Sequence, residues 1–190
     1  MLAAGVPCAD ATDITLEIRD GHGNPVPDAV VFAEPVGGTT PAAKPYTRAL
    51  IDQVNKQFVP RVSIVQAGTS VYFPNSDNIR HSIYSFSPAK VFTTKLYSGR
   101  EAAPITFNHA GLVVLGCNIH DGMVAWVYIV GTPWFGKSGV DGNGTLKGLP
   151  AGEYKITAAA PALDLPPAVL DLRVDDNVPM RTSISLGATP

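Results

Sequence analysis

The sequence has little of what marks several large functional classes. Charged residues make up only 16% of the 190 positions, the net charge is −2, and no basic cluster offers the positive surface that phosphate groups require. No continuous apolar segment is long enough to span a bilayer. The G-x-S-x-G, H-E-x-x-H and phosphate-binding glycine-loop motifs are missing, and carboxylates are not clustered in pairs. We therefore expect no nucleic-acid partner and no membrane span, and we predict that the chain is not an enzyme.

Glycine and proline, in contrast, are abundant, with 18 and 17 residues, and they separate many short β-branched runs. Such runs bounded by turn residues are typical of strands. With 45% hydrophobic residues, a chain of this length can also bury a substantial core. The composition therefore predicts a folded, all-β sandwich.

Cysteine is scarce, and one of the two cysteines lies in the most informative segment, GCNIHDGM. Two residues separate Cys117 from His120 and two more separate His120 from Met123, so a tight loop can direct all three side chains to one point. His81, in FPNSDNIRHSIYSF, is a distant fourth candidate. A thiolate, two imidazoles and a thioether favour copper over magnesium, calcium or manganese. Zinc is the main competitor, because imidazole and thiolate also suit it.

The flanks of these residues predict where the fold places them. GLVVLG before Cys117 and VAWVYIV after Met123 are apolar runs of strand length, so the ligand loop is expected at a hairpin tip. The polar stretch from Asn75 to Asn78 begins a loop that would carry His81 to the same end of the molecule. The four residues are therefore predicted to form one metal site.

The segments FPNSDNIRHS and TFNHAGLVVLGCNIHDGMVAWVYIV together resemble a cupredoxin of the plastocyanin and amicyanin group, over roughly Phe58 to Val130. They are also similar to bacterial periplasmic proteins labelled methylamine utilisation proteins. The resemblance implies a Greek-key β-sandwich and a type 1 copper site. In such a site His81, Cys117 and His120 bind copper strongly, Met123 binds weakly at the axial position, and electrons pass through the exposed edge of His120.

One departure from that family concerns the residue after the first histidine. Relatives usually carry an asparagine there, whose side chain ties the two ligand loops together, whereas this chain has Ser82. Asn75 and Asn118 are the alternative candidates for such a tie.

The two ends of the chain carry a second resemblance. DITLEIRDGHGNPVPDAVVFAEP and SGVDGNGTLKGLPAGEYKITAAAP are similar to the transthyretin-like sandwich of carboxypeptidase regulatory domains. We expect a residual signal segment at 1–11, β-strands and a loop at 12–57, the cupredoxin domain at 58–130, and a C-terminal β region at 131–190 that packs with 12–36. The flanks form either a separate sandwich or extra strands of one enlarged sandwich. A short helix is predicted from Tyr46 to Lys56.

The first residues, MLAAGVPCADA, resemble the tail of a secretory signal with an A-x-A cleavage site at Ala9 to Ala11, whose charged and hydrophobic parts are missing. Cleavage there would remove Cys8; lipid attachment at Cys8 is the alternative. Both predict a periplasmic protein.

The sequence thus predicts a periplasmic protein that carries single electrons, with one copper ion as its cofactor. Its partner would be a redox protein such as a dehydrogenase or a cytochrome, and the chain would be a monomer or a weak oligomer. Copper binding for tolerance or delivery is the alternative, and a carbohydrate- or protein-binding module with incidental copper is a third possibility. His22 and His109 are expected to be surface turn residues rather than ligands.

Overall fold

The structure, a computed structural model, describes residues 11–38, 40, 48–99 and 103–187. Among these residues every long element is a strand, and the one helix is a single 3₁₀ turn at Pro161–Leu163. In chain order the strands are β1 (Thr12–Asp20), β2 (Val30–Pro35), β3 (Arg48–Leu50), β4 (Asp52–Val54), β5 (Gln57–Val59), β6 (Val62–Gln66), β7 (Thr69–Tyr72), β8 (Ile83–Ser87), β9 (Lys90–Thr93), β10 (Ile105–Phe107), β11 (Gly111–Cys117), β12 (Val124–Val130), β13 (Phe135–Lys137), β14 (Asn143–Leu149), β15 (Gly152–Ala160), β16 (Leu165–Val174) and β17 (Met180–Leu186).

The prediction of an all-β sandwich is confirmed. Successive side chains of a strand point to opposite faces of a sheet. Where apolar and polar residues alternate along the chain, the apolar side chains therefore all face the core. Strand β1 shows the pattern: Ile14, Leu16 and Ile18 are fully buried, and the residues between them face outward or are half-buried. Over the described residues, no helix is long or apolar enough to cross a membrane.

The strands from the two ends of the chain share one hydrophobic core. A three-stranded sheet of order β14-β1-β17 and a four-stranded sheet of order β13-β2-β15-β16 supply its side chains. Strand β1 joins the ends directly, because it pairs antiparallel with β14 and parallel with β17. The N-terminal strands therefore complete a sandwich whose other strands lie at least 100 residues later in the chain.

The middle of the chain builds a second core. A five-stranded sheet of order β6-β12-β11-β8-β9 and a three-stranded sheet of order β10-β7-β3 contribute many of its buried residues, including Val71, Phe107, Leu115 and Cys117. Strand β11 lies at the centre of the larger sheet, between β12 and β8. The sandwich thus holds the end of β11, where Cys117 lies, inside the molecule.

A small third cluster joins the two cores. Val30 of β2 and Ala159 of β15 pack with Val62 of β6, and the ring of Phe32 lies 5.6 Å from that of Tyr128. These contacts are apolar and buried, so the two sets of strands pack directly against each other. The domain boundaries predicted from the sequence remain a prediction.

The predicted helix from Tyr46 to Lys56 is wrong in its described part. Strand β3 and the hairpin of β4 and β5 occupy the segment instead. Asn55 and Lys56 form the two-residue hairpin loop, with φ angles of 53° and 59°. Two successive positive φ angles suit a tight β-hairpin and are incompatible with a right-handed helix. Tyr46 itself lies outside the described residues.

Candidate metal centre

Three of the predicted ligands meet at one end of the second core. Cys117 is the last residue of β11, His120 lies in the turn between β11 and β12, and His81 lies just before β8. Their donor atoms all lie within 4.8 Å of one another. The structure therefore brings together a group of two imidazoles and a thiol that could hold a metal ion.

The distance between two of these donors matches a shared metal. His81 Nδ1 lies 3.7 Å from Cys117 Sγ. Bond lengths of about 2.0 and 2.3 Å to nitrogen and sulfur, with an angle between tetrahedral and trigonal, place the two donor atoms about 3.5 to 3.7 Å apart. One ion can therefore bind both atoms without a large movement of either side chain.

His120 supplies the most direct sign that a bound group belongs here. Its Nδ1 is buried and has no hydrogen-bond partner among the described residues, although its ring as a whole is only half-buried. A buried polar atom left without a partner costs about 1–3 kcal/mol. The rings of His120 and His81 lie 5.0 Å apart between centroids. A metal ion between them would give this nitrogen the partner that the protein does not provide.

Pairing between strands fixes the two halves of the centre. Cys117 pairs with Ile83 across β11 and β8, only two residues from His81. His81 also exchanges both of its backbone hydrogen bonds with Tyr97, at 3.0 and 2.9 Å. The His81 side chain is fully buried, and Cys117 is only 4% exposed. Both donors are therefore held by backbone bonds in a dry environment.

Met123 lies close in the chain and in the fold. It is 1% exposed, belongs to the same buried cluster as Cys117, and donates its backbone N–H to the carbonyl of His120 at 3.0 Å. This bond closes the turn that carries His120. The role of Met123 as a weak axial ligand stays a prediction, as do the ligand roles of the other three residues.

Asn75 and Asn118 have different positions relative to the centre. Asn75 is buried and donates from Nδ2 to the carbonyls of Ile79 and Tyr97, both at 2.9 Å. Asn118 is exposed. Asn75 thus braces the loop that carries His81 from within. Ser82 forms no comparable tie, since its Oγ is buried without a hydrogen-bond partner among the described residues.

Asp77 is the residue of the centre that sequence reasoning missed. Its Oδ2 lies 2.8 Å from His81 Nε2, the ring nitrogen that faces away from Cys117. The same carboxylate accepts the backbone N–H groups of Asn55 and Lys56 at 2.6 and 2.9 Å. Burial acts to raise the pKa of Asp77, but the hydrogen bonds from Lys56, His81 and Asn55 outweigh it and hold that pKa below its ordinary value.

Two other histidines lie away from the centre, as expected. His22 and His109 are both exposed, His22 in the turn after β1 and His109 in the lead to β11. Neither belongs to the group of potential ligands. Cys8 and the predicted signal segment up to residue 10 lie outside the described residues, and Cys117 is the free, buried cysteine among those that are described.

No family model matches the chain, and no curated protein matches it. Among solved structures, the copper-containing nitrite reductase from Thermus scotoductus SA-01 aligns with 26% identity and a TM-score of 0.42, over 51% of this chain and 25% of that one. Amicyanin from Paracoccus versutus aligns with 19% identity and a TM-score of 0.41, over 52% of this chain and 97% of that one. The chain thus spans about a quarter of the nitrite reductase. TM-scores this low do not establish a family.

Proposed function

We propose that the chain is a type 1 copper protein that carries single electrons between redox partners. The observation that supports this most strongly is the group of His81, Cys117 and His120, with donor atoms within 4.8 Å and one buried nitrogen left without a partner. One cysteine and two histidines, with a long bond to a methionine, suit both oxidation states of copper. Met123 is the candidate for that fourth position. Copper bound there would accept and release one electron.

The protein's contribution is to hold its donors still. Cys117 ends a central strand, and His81 is fixed by two backbone hydrogen bonds to Tyr97. Because little of this framework can move, the geometry around the ion would change little when its charge changes. A small rearrangement favours fast electron exchange. The burial of His81 and Cys117 also excludes water, which would otherwise compete as a ligand.

His120 is the proposed point of electron entry and exit. Its ring is half-buried, while His81 is fully buried. Its neighbour Ile119 is 48% exposed, and Gly122 in the same turn is exposed as well. We infer that a redox partner, such as a periplasmic dehydrogenase or cytochrome, docks on the small surface around His120, which also carries the exposed Asn118 and Asp121. A periplasmic location is part of the proposal and rests on the signal-like N-terminal sequence.

Cycling the copper-loaded protein between oxidation states tests this function against copper tolerance or delivery. The protein is reduced and reoxidised repeatedly in the presence of a copper chelator, and the retained copper is measured after each half-cycle. An electron carrier keeps its copper in both states and shows a reversible potential. Loss of the ion to the chelator in one state would contradict the carrier function and favour delivery.

A substitution beside His120 separates partner docking from metal binding. Ile119→Lys places a charge on the proposed docking surface without touching a donor atom. We expect the visible spectrum and the potential to stay close to those of the wild type, while electron exchange with a redox partner slows. Equal exchange rates would show that partners do not dock at His120.

A further inference from the structure

We propose that Asp77 is a positioning residue of the metal centre, which fixes the tautomer and the orientation of His81 through a hydrogen bond at Nε2. This inference rests on the proposed function where it concerns copper, whereas the tautomer can be measured in the metal-free protein. The observations that carry it are the two distances on opposite sides of one buried ring, 2.8 Å from Nε2 to Asp77 Oδ2 and 3.7 Å from Nδ1 to Cys117 Sγ.

The tautomer follows from what each neighbour can do. A carboxylate only accepts hydrogen bonds, so the ring nitrogen beside Asp77 must carry a hydrogen. In a neutral imidazole the other nitrogen then has a free lone pair. That nitrogen is Nδ1, which faces Cys117 and the other donors. Asp77 thus presents the correct atom of His81 to a metal before any metal is bound.

Asp77 is itself held by backbone groups from a distant segment. The N–H groups of Asn55 and Lys56 both point at its carboxylate, because the hairpin loop between β4 and β5 has two successive positive φ angles. Three donors therefore converge on one side chain, which an anion satisfies better than a neutral amide. The hairpin acts as a support that fixes Asp77, and through it the ring of His81.

This arrangement also tunes the donor strength of His81. A carboxylate partner raises the basicity of a ligating imidazole, and its loss typically lowers metal affinity by about 10- to 100-fold. A more basic imidazole and a nearby negative charge stabilise the higher charge of Cu(II) more than that of Cu(I). Asp77 is therefore expected to lower the reduction potential of the centre.

A neighbouring carboxylate provides a matched control. Asp52 accepts hydrogen bonds from the backbone N–H of Ser76 at 3.2 Å and from its hydroxyl at 2.7 Å, and so anchors the same loop to the same hairpin. Its contacts do not include His81. Asp52→Asn therefore reports the effect of a looser loop, and Asp77→Ala reports that effect together with the loss of the bond to the ring.

The first readout is the tautomer of His81 in the metal-free protein, from long-range proton–nitrogen NMR correlations. The spectra are recorded at a pH where the ring is neutral, and there we expect its hydrogen on Nε2 in the wild type and in Asp52→Asn, and a mixture of tautomers in Asp77→Ala. A neutral wild-type ring with its hydrogen on Nδ1 overturns the proposal. The wild-type measurement alone decides this outcome and needs no copper, so it is independent of the proposed function.

The second readout is the binding of Zn(II) alone, by competition with a chelator, followed by the reduction potential of the copper-loaded forms. We expect Asp77→Ala to bind zinc about 10- to 100-fold more weakly and to have a higher potential, with much smaller changes in Asp52→Asn. Asp77→Asn, which keeps an acceptor for Nε2–H, should recover part of the affinity. Equal losses in Asp52→Asn and Asp77→Ala, or no loss in either, would overturn the proposal.

Discussion

A Cβ atom placed on Gly116 would lie 2.5 Å from Cζ of Tyr84, so the tyrosine ring fills the space that a side chain at position 116 would need. The two residues pair across β11 and β8. Gly116 directly precedes Cys117, and Tyr84 lies in the strand that follows His81. The packing of the Tyr84 ring over Gly116 therefore joins the strand that carries Cys117 to the strand next to His81. Gly116 does not have a positive φ angle, so what the glycine provides here is space for the ring.

Gly116→Ala should accordingly lower both the free energy of unfolding and the metal affinity. Overpacking of this kind costs about 1–3 kcal/mol. Denaturant unfolding and zinc competition measure the two effects. Gly131→Ala is the matched control, because a Cβ at Gly131 has no atom within 4 Å.

The double variant Gly116→Ala/Tyr84→Ala shows whether the added methyl group is excluded by the tyrosine ring or by the rest of β11. Removing the ring opens the space that the new methyl group needs. We expect the two substitutions together to cost less than the sum of their separate effects. Strict additivity would show that the ring is not what excludes a side chain at position 116.

Removing the hydroxyl group should affect the free energy of unfolding differently at two buried serines. Ser82 Oγ has no hydrogen-bond partner among the described residues, whereas Ser138 Oγ donates to the carbonyl of Val26 at 2.6 Å and accepts the N–H of Ala29 at 2.9 Å. Because a buried unpaired polar group costs about 1–3 kcal/mol, Ser82→Ala should leave stability unchanged or raise it. Ser138→Ala should lower it by a similar amount.

Denaturant unfolding of both serine variants in the metal-free protein checks this contrast. A marked loss of stability in Ser82→Ala would mean that the hydroxyl has a partner in solution, such as a bound water. In that case Ser82 would take a larger part in holding the His81 loop than its contacts indicate.

Tyr154 should make the free energy of unfolding depend on pH in the alkaline range. Burial raises its pKa from the ordinary value of 10.0, and its hydroxyl donates to the carbonyl of Pro150 at 2.9 Å. The unfolded chain therefore loses this proton at lower pH than the folded chain does. The contribution of Tyr154 is fully present below pH 10.0 and is lost as the pH rises from there through the raised pKa.

Denaturant unfolding of the wild type and of Tyr154→Phe over this pH range tests whether Tyr154 lowers the free energy of unfolding as the pH rises. Near neutral pH the variant should be less stable by about 0.5–1.5 kcal/mol, because it lacks the hydrogen bond. Above pH 10.0 the difference should shrink, since only the wild type has this proton to lose. Parallel pH curves for the two proteins would contradict the assignment. Burial also raises the pKa of Tyr128, so the variant keeps part of the alkaline slope.

The sequence was sufficient for the strands around the ligand loop. The runs GLVVLG and VAWVYIV are β11 and β12, because apolar, β-branched segments bounded by turn residues have few alternatives to a buried strand. The spacing of Cys117 and His120 likewise predicted a tight turn. Local pattern determines these features, and a single sequence displays local pattern directly.

The sequence was insufficient to predict which residues hold His81 in place. Asp77 bonds to residues 21 and 22 positions earlier in the chain, through backbone groups that leave no mark on side-chain pattern. The sequence predicts a helix where the hairpin of β4 and β5 lies, and the prediction is wrong because Asn55 and Lys56 adopt a left-handed conformation whose N–H groups bond to Asp77, far along the chain. Contacts between loops follow from the packed fold and carry no periodic signal.

We propose that Cys117, His81 and His120 hold one copper ion as a type 1 centre. Optical and electron-paramagnetic-resonance spectra of the protein loaded with Cu(II), with Cys117→Ser as the control, test it most directly. We predict an intense visible band from thiolate-to-copper charge transfer that disappears in the variant. A weak spectrum dominated by nitrogen and oxygen ligands, unchanged by Cys117→Ser, would contradict the claim.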